Sequence, residues 1–79
     1  MSAANILSPL PGTFYRKPAP DQPEYVTVGT ELNVGDVIGL IEVMKSFHEV
    51  KADRKGVVKA ILVEDSEPVN AGQPLMEIG

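Results

Sequence analysis

Two short segments of the chain repeat one another at an offset of 37 residues, and this repeat restricts the folds that the chain can adopt. Residues 32–38 and 69–75 share an apolar residue, an asparagine, a small residue, a glycine, two further residues and an aliphatic residue. Self-similarity at a fixed offset is typical of a repeated supersecondary unit. The sequence therefore predicts two quasi-equivalent halves, each supplying a small sheet.

A weaker pair of segments locates an insertion in the first half. Residues 10–14 resemble residues 54–58 at an offset of 44, so the first half carries seven additional residues. These must lie near residues 17–25, which contain three of the seven prolines. Proline cannot donate to a sheet ladder, and the stretch therefore predicts a stiff, projecting loop. A neutral surface insertion is the alternative.

Short apolar runs between turn-forming residues predict an all-β fold. Most are rich in valine and isoleucine and have the length of strands; they are residues 25–28, 37–43, 47–50, 57–63 and 75–78. Seven glycines and seven prolines indicate many turns. Long helices are nearly excluded.

The size of the chain limits it to one small domain. Seventy-nine residues, 1–79, give a modest core and no room for a large catalytic cleft, and we expect residues 1–4 to be flexible. The chain has no cysteine and one histidine, so neither disulfides nor a metal site supports it. Regular β-structure remains as the source of stability.

Charge and hydropathy exclude several classes of partner. The net charge of −4 comes from 11 acidic and 7 basic residues, and the basic ones are mostly scattered, which argues against nucleic acid as a partner. No apolar run is long enough to span a membrane, and the first residues lack the features of a secretory signal. The absence of cysteine fits a reducing compartment. We expect a cytoplasmic location without membrane association.

The segment that joins the two halves contains a conspicuous lysine. Residues 37–43 and 46–50 read as a hairpin with Met44 and Lys45 at its tip, although neither Asn-Gly nor Asp-Gly marks the turn. An exposed lysine is most often a solvated cation, and its other uses are as a nucleophile or an acylation site. An exposed Met44 beside it indicates a surface that another protein recognises. The alternative is that Met44 folds back onto the core.

The residues around this lysine resemble the signature of biotinyl domains, in which a glutamate, a small residue and a methionine precede the modified lysine. Here these are Glu42, Val43, Met44 and Lys45. Residues 5–21 are similar to the opening of the biotin carboxyl carrier protein of bacterial and plastid acetyl-CoA carboxylases. Further matching segments follow in family order, and the resemblance covers about residues 5–78.

The resemblance implies a fold and a function. The family fold is a flattened β-barrel (barrel-sandwich hybrid) of two four-stranded antiparallel sheets related by pseudo-twofold symmetry. Biotin would be attached to Lys45 by a biotin protein ligase, carboxylated by a biotin carboxylase and presented to a carboxyltransferase. The acceptor implied is acetyl-CoA, which yields malonyl-CoA for fatty acid synthesis. The domain itself would supply no catalytic residue and no metal.

The resemblance also assigns roles around Lys45. The insertion is similar to the family's "thumb", with Pro18, Ala19, Pro20 and Asp21 at its centre. Glu42 is implied in ligase recognition or in presentation of the lysine rather than as a base. The family usually has methionine on both sides of the lysine, whereas Ser46 follows it here. Ser46 therefore puts in doubt the choice of partner enzyme or the turnover of the attached biotin, more than the attachment itself. Phe47 is a candidate for the apolar role of the missing second methionine.

Two other functions also fit the sequence. A lipoyl carrier would have the same fold and exposed lysine, but lipoyl domains usually place aspartate before the lysine and alanine after it, so Met44 and the insertion favour biotin. The other alternative is an unmodified interaction module that has kept only the scaffold. Enzymatic activity of the chain alone is the least favoured function, because it has no nucleophile–base pair and no cluster of metal ligands. We expect His48 to be an exposed strand residue.

Overall fold

A computed structural model describes residues 4–79 of the chain. The segment predicted to be flexible, residues 1–4, falls largely outside the described residues. Ala4 is described, and it begins the first strand and pairs with Ile78. Among residues 4–79, no helix is long and apolar enough to cross a membrane.

Eight strands make up the regular structure of the described residues. They are β1 Ala4–Leu7, β2 Gly12–Tyr15, β3 Glu31–Leu32, β4 Val37–Val43, β5 Ser46–Lys51, β6 Gly56–Ile61, β7 Glu67–Val69 and β8 Pro74–Ile78. All pairs are antiparallel, and the molecule measures 38 × 26 × 20 Å. The prediction of a flattened all-β barrel of two four-stranded sheets is confirmed.

The order of the strands shows the pseudo-twofold symmetry directly. One sheet has the order β1-β8-β6-β3 and the other β5-β4-β2-β7. Exchanging β1 with β5, β2 with β6, β3 with β7 and β4 with β8 converts one order into the other. Each sheet therefore takes two strands from each half. The prediction that each half supplies its own sheet is wrong, since the halves interleave so that each completes the other's sheet.

The sequence repeat corresponds to a repeated turn. In the turn before β4, the N–H of Asp36 donates to the carbonyl of Asn33 at 3.1 Å, and the N–H of Asn33 donates to the Asp36 carboxylate at 2.9 Å. The turn before β8 has the same two bonds at 3.1 and 2.9 Å, with Gln73 and Asn70 as the partners. Gly35 and Gly72 take a positive φ in these turns. The two segments are thus equivalent in conformation as well as in sequence.

A second pair of turns extends this equivalence further back along the chain. The N–H of Thr27 donates to the Thr30 hydroxyl at 3.0 Å, and the N–H of Glu64 donates to the Glu67 carboxylate at 3.0 Å. Thr27 and Glu64 are again 37 positions apart. Because β2 and β6 align at an offset of 44, the seven additional residues lie between the end of β2 and Thr27. This position agrees with the one predicted from the internal repeat.

The predicted strands agree with the structure in four of five places. The prediction fails for residues 25–28, which form no strand because Thr27 and Val28 enter the turn closed by Thr30. Residues 57–63 were predicted too long, since β6 ends at Ile61. The strands β1, β2, β3 and β7 were missed. They have only two to four residues each, so their hydrophobic alternation is too short to recognise.

The core lies between the two sheets and is almost entirely aliphatic. Its fully buried side chains include Phe14, Leu32, Ile38, Ile41, Val58, Leu75 and Met76. Phe14 of β2 is the one aromatic residue of this core, and the backbone of Gly39 in β4 packs against its ring. A β-carbon at Gly39 would lie 2.5 Å from the Phe14 ring. Position 39 therefore has no room for a side chain while the Phe14 ring keeps its place.

Candidate functional site

The hairpin between β4 and β5 ends in a two-residue turn formed by Met44 and Lys45. The last paired residues are Val43 and Ser46, as the sequence predicted. Both central residues have a positive φ, 50° for Met44 and 68° for Lys45. This is the backbone of a type I′ turn, which fits the twist of a hairpin and normally carries Asn-Gly or a similar pair. Neither Met44 nor Lys45 is a residue that favours this turn, so the turn type was not predictable from the sequence.

Two non-glycine residues in left-handed conformation make this turn energetically unfavourable. The left-handed region costs an L-residue other than glycine, asparagine or aspartate roughly 1–2 kcal/mol. Such strain persists only where the surrounding structure enforces it, and it concentrates at functional sites. Here the paired strands β4 and β5 enforce it. The turn is therefore the part of the backbone that points most directly to a function.

The turn directs its side chains into solvent. Met44 is 93% exposed, which excludes the alternative that it folds back onto the core, and Lys45 and Ser46 are exposed as well. The ion pairs found among residues 4–79 are Arg16–Glu24, Lys51–Glu49 and Arg54–Asp53, so Lys45 belongs to none of them. The amine of Lys45 is thus open to approach, next to an exposed thioether.

Glu42 and Phe47 face each other across the hairpin, one pair below Val43 and Ser46. Strand alternation sends them to the outer face of the sheet, since the neighbouring Ile41 is fully buried. Glu42 is partly buried, and Phe47 is 60% exposed despite its size. An exposed aromatic ring so close to the lysine extends the apolar surface that begins at Met44.

Tyr15 of β2 connects these two residues and was not predicted from the sequence. Its hydroxyl donates to the Glu42 carboxylate at 3.0 Å, and its ring lies 6.1 Å from the Phe47 ring, measured between centroids. The hydrogen bond to Glu42 and, after it, desolvation raise the pKa of the Tyr15 hydroxyl above 10.0. The residues belong to three different strands, and their proximity depends on the β2–β4 register, which sequence patterns do not reveal.

The insertion is closed at its base by bonds between its two ends. The N–H of Tyr25 donates to the carbonyl of Arg16 at 2.9 Å, and the Arg16 guanidinium pairs with the Glu24 carboxylate at 3.0 Å. A turn follows within the insertion, where the N–H of Gln22 donates to the carbonyl of Ala19 at 3.0 Å. Residues 17–24 form no strand. The insertion is thus a defined loop rather than an open one.

A groove of about 430 Å³ separates the insertion from the outer face of the sheet. Its walls include Pro18, Ala19 and Pro20 on the insertion and Phe47 on the hairpin. The remaining lining residues are Tyr15, Lys17, Leu40, Asp65 and Ser66. The structure therefore brings most of the predicted insertion residues to the same groove as Phe47. Asp21 is exposed and is not part of the lining, and neither are Met44, Lys45 or Ser46.

The remaining polar residues near the hairpin do not form a reactive cluster. His48 is exposed on β5 opposite Ile41, as predicted. Within residues 4–79, no group of three or more histidine, cysteine, aspartate or glutamate side chains is arranged to hold a metal ion. Glu42 accepts its hydrogen bond from Tyr15. The chemistry available at the hairpin is that of one accessible primary amine.

Comparison with known proteins places this geometry in a family. A biotin carboxyl carrier protein of acetyl-CoA carboxylase from Haemophilus influenzae is 42% identical over 78 residues, which are 99% of this chain and 50% of that protein. One from a Nostoc species is 47% identical over 75 residues, 95% of this chain and 41% of that protein. The chain thus spans about half the length, or less, of these relatives.

Solved structures agree with the sequence comparison. The crystal structure of urea carboxylase from Kluyveromyces lactis matches 100% of this chain and 6% of its own, with a TM-score of 0.79 and 29% identity. A biotin/lipoyl family model described as "Biotin-requiring enzyme" matches residues 4–78. The chain belongs to this family of biotin/lipoyl domains.

Proposed function

We propose that this chain is a biotin carboxyl carrier domain and that Lys45 carries the biotin. The observation that supports this most is the strained type I′ turn, which holds Lys45 away from the barrel beside an exposed Met44. A lysine without an ion pair among the described residues is free to enter another protein's active site. The names of the similar proteins support biotin as the group attached.

Attachment needs only what the hairpin offers. The Nζ atom of Lys45 attacks the acyl carbon of biotinyl-adenylate on a biotin protein ligase. An amide bond forms while the acyl–phosphate C–O bond breaks, AMP leaves and the amine gives up its proton to solvent. The amide is uncharged, so the positive charge at the hairpin tip is lost on modification. The chain contributes the nucleophile and its position, and the ligase contributes the activated acyl group.

The attached group determines the later chemistry. Biotin supplies a ring nitrogen that accepts a carboxyl group at a biotin carboxylase and releases it at a carboxyltransferase. The domain itself catalyses no step and instead raises the effective concentration of the group at both enzymes. By similarity to the carriers above, the proposed acceptor is acetyl-CoA, which yields malonyl-CoA for fatty acid synthesis. We propose the cytoplasm as the location.

We assign different roles to the residues around Lys45. Met44 provides an apolar contact for the ligase, because its side chain is almost fully exposed next to the lysine. Glu42 helps to present the hairpin rather than to deprotonate Lys45, since it accepts a hydrogen bond from Tyr15 on the outer face of the sheet. Ser46 leaves the second flank of the lysine polar, and the exposed ring of Phe47 supplies the apolar surface there.

We also propose that the insertion is part of the working surface. Pro18, Ala19 and Pro20 line a groove whose other wall contains Phe47, so the insertion and the hairpin form one continuous surface. Asp21 lies outside the groove lining and is exposed, where partner enzymes can reach it. A merely tolerated surface insertion has no reason to face the hairpin.

A carboxylation assay tests this function. The chain is first biotinylated by a biotin protein ligase and then incubated with a biotin carboxylase, ATP and radioactive bicarbonate. We expect acid-labile radioactivity on the wild-type protein and none on Lys45→Arg, which keeps the charge but cannot be acylated. An unmodified interaction module or a lipoyl carrier would show no such label on the wild type, and this result would overturn the proposal.

A further inference from the structure

We propose that Tyr15 is a positioning residue for attachment: its hydroxyl holds the Glu42 carboxylate in the orientation in which the ligase meets the hairpin. This inference rests on the proposed function. It assigns Tyr15 a role in how fast Lys45 is modified, not in whether the barrel folds. Three features of the structure support this role: the register of three strands, the hydrogen bond to Glu42, and the different surroundings of the Tyr15 ring and hydroxyl.

The register places Tyr15 diagonally opposite Glu42. Phe14 pairs with Ile41 across β2 and β4, and both point into the core. Their neighbours Tyr15 and Glu42 therefore point outward on the same face, and the hydroxyl reaches the carboxylate at 3.0 Å. This is a contact between residues 27 positions apart. It ties the hairpin to β2, the strand from which the insertion leaves.

A carboxylate on an outward strand position normally samples several rotamers. Fixing one of them before the partner arrives removes an entropic cost from the encounter. Glu42 precedes Lys45 by three residues and lies in the second strand pair from the turn, so its orientation defines part of the surface around the lysine. A hydrogen bond to a charged acceptor is stronger than one between neutral groups. Tyr15 is therefore suited to fix this carboxylate.

The ring and the hydroxyl of Tyr15 have different surroundings, which makes the inference testable. The ring packs near Phe47 and lines the groove beside the insertion. The hydroxyl contacts Glu42. Substitution by phenylalanine keeps the ring in place and removes only the hydroxyl. A change in the attachment rate on this substitution then reports on Glu42 and not on packing.

Steady-state kinetics of a biotin protein ligase on four proteins form the test: wild type, Tyr15→Phe, Glu42→Gln and the double variant. We expect Tyr15→Phe to lower kcat/KM about fivefold. This loss is smaller than the largest effects of removing a hydrogen bond to a charged group, because the site is partly solvated. In the Glu42→Gln background the same substitution should change kcat/KM by less than about twofold, since coupled residues are not additive. Tyr25→Phe, which removes the other phenol hydroxyl, is the matched control and should match wild type.

The outcomes separate this inference from the proposed function. If the wild type is biotinylated and Tyr15→Phe is biotinylated at the same rate, the inference alone is overturned. The inference is also overturned if the fold-loss in the double variant equals the product of the fold-losses in the two single variants. A wild type that accepts no biotin at Lys45 overturns the proposed function and the inference with it. A fivefold loss that disappears in the Glu42→Gln background supports both.

Discussion

The turn that carries Lys45 and the turn at residues 70–73 both lead into a strand, yet they are built in opposite ways. At residues 70–73 a glycine takes the positive φ, and the side chain of Gln73 accepts a hydrogen bond from the backbone N–H of Asn70. At the hairpin tip Met44 and Lys45 take the positive φ themselves. The turn at residues 70–73 is held by a hydrogen bond within the turn, whereas the hairpin turn is held by the paired strands β4 and β5.

The difference shows where this small barrel tolerates backbone strain. The four-residue turn occurs in four places, at residues 27–30, 33–36, 64–67 and 70–73, each closed by a side chain that accepts from the first N–H. Only the turn of residues 64–67 lacks a glycine, and Ser66 takes its place with a φ of 66°. Repeated local bonds of this kind stabilise the scaffold. The proposed function accounts for the strain at Met44 and Lys45, because it requires both side chains in solvent.

Moving the lysine between the two turns gives the largest expected effect. In the variant Lys45→Arg with Ala71→Lys, an exposed lysine is placed in the turn at residues 70–73 instead of the hairpin. We expect ligase-catalysed biotinylation to fall below detection, because the ligase recognises the strained turn together with the residues around it. An exposed amine elsewhere does not provide that surface. Streptavidin blotting measures this, with Ala71→Lys alone as the control that keeps Lys45. Biotin found on residue 71 would show that the ligase does not distinguish the two turns.

Substituting the glycine of the repeated turn should cost stability without affecting attachment. Gly72→Ala places a β-carbon at a φ of 82°. No neighbouring atom lies within 4 Å of that β-carbon, so the penalty is purely conformational. We expect the free energy of unfolding in urea to fall by about 1 kcal/mol. The ligase rate should be unchanged, and a stability equal to wild type would show that the turn does not depend on glycine.

The reverse change at the hairpin should increase stability and abolish function. Met44→Asn with Lys45→Gly installs the pair that a type I′ turn favours. We expect the free energy of unfolding to rise by about 1 kcal/mol, because the relief of left-handed strain exceeds the entropy that glycine adds to the unfolded chain. Lys45→Arg serves as the control, with function lost and stability unchanged. A less stable Asn-Gly variant would contradict the claim that the native turn is strained.

The last prediction concerns the pKa of the Tyr15 hydroxyl and has the smallest effect on stability. Its pKa is raised above 10.0, mainly by the hydrogen bond to Glu42, so its contribution to stability is present below pH 10.0 and is lost as the pH rises through the folded-state pKa. In Glu42→Gln the pKa of Tyr15 should return towards 10.0. NMR titration of the Tyr15 ring measures this. An equal pKa in both proteins would mean that Glu42 does not hold the hydroxyl.

The sequence predicted the repeat, the hairpin and the lysine because each depends on residues close together in the chain. The pattern Asn-x-Gly is read directly from residues 33–35 and 70–72, and two apolar runs define the hairpin. The interleaving of the halves was not predictable, since the two residues of β3 and the three of β7 do not reveal their partner strands. The role of Tyr15 depends on the same unseen pairing of β2 with β4.

The mass of the intact protein after incubation with a ligase shows whether Lys45 is the site of biotin attachment. The chain is treated in parallel with a biotin protein ligase, biotin and ATP, and with a lipoate ligase, lipoate and ATP, and the products are mapped by peptide mass spectrometry. We predict the addition of one biotinyl group, on Lys45 and on no other lysine, and no lipoyl group. Lipoylation without biotinylation at Lys45, or an unmodified Lys45 with both ligases, would contradict the account.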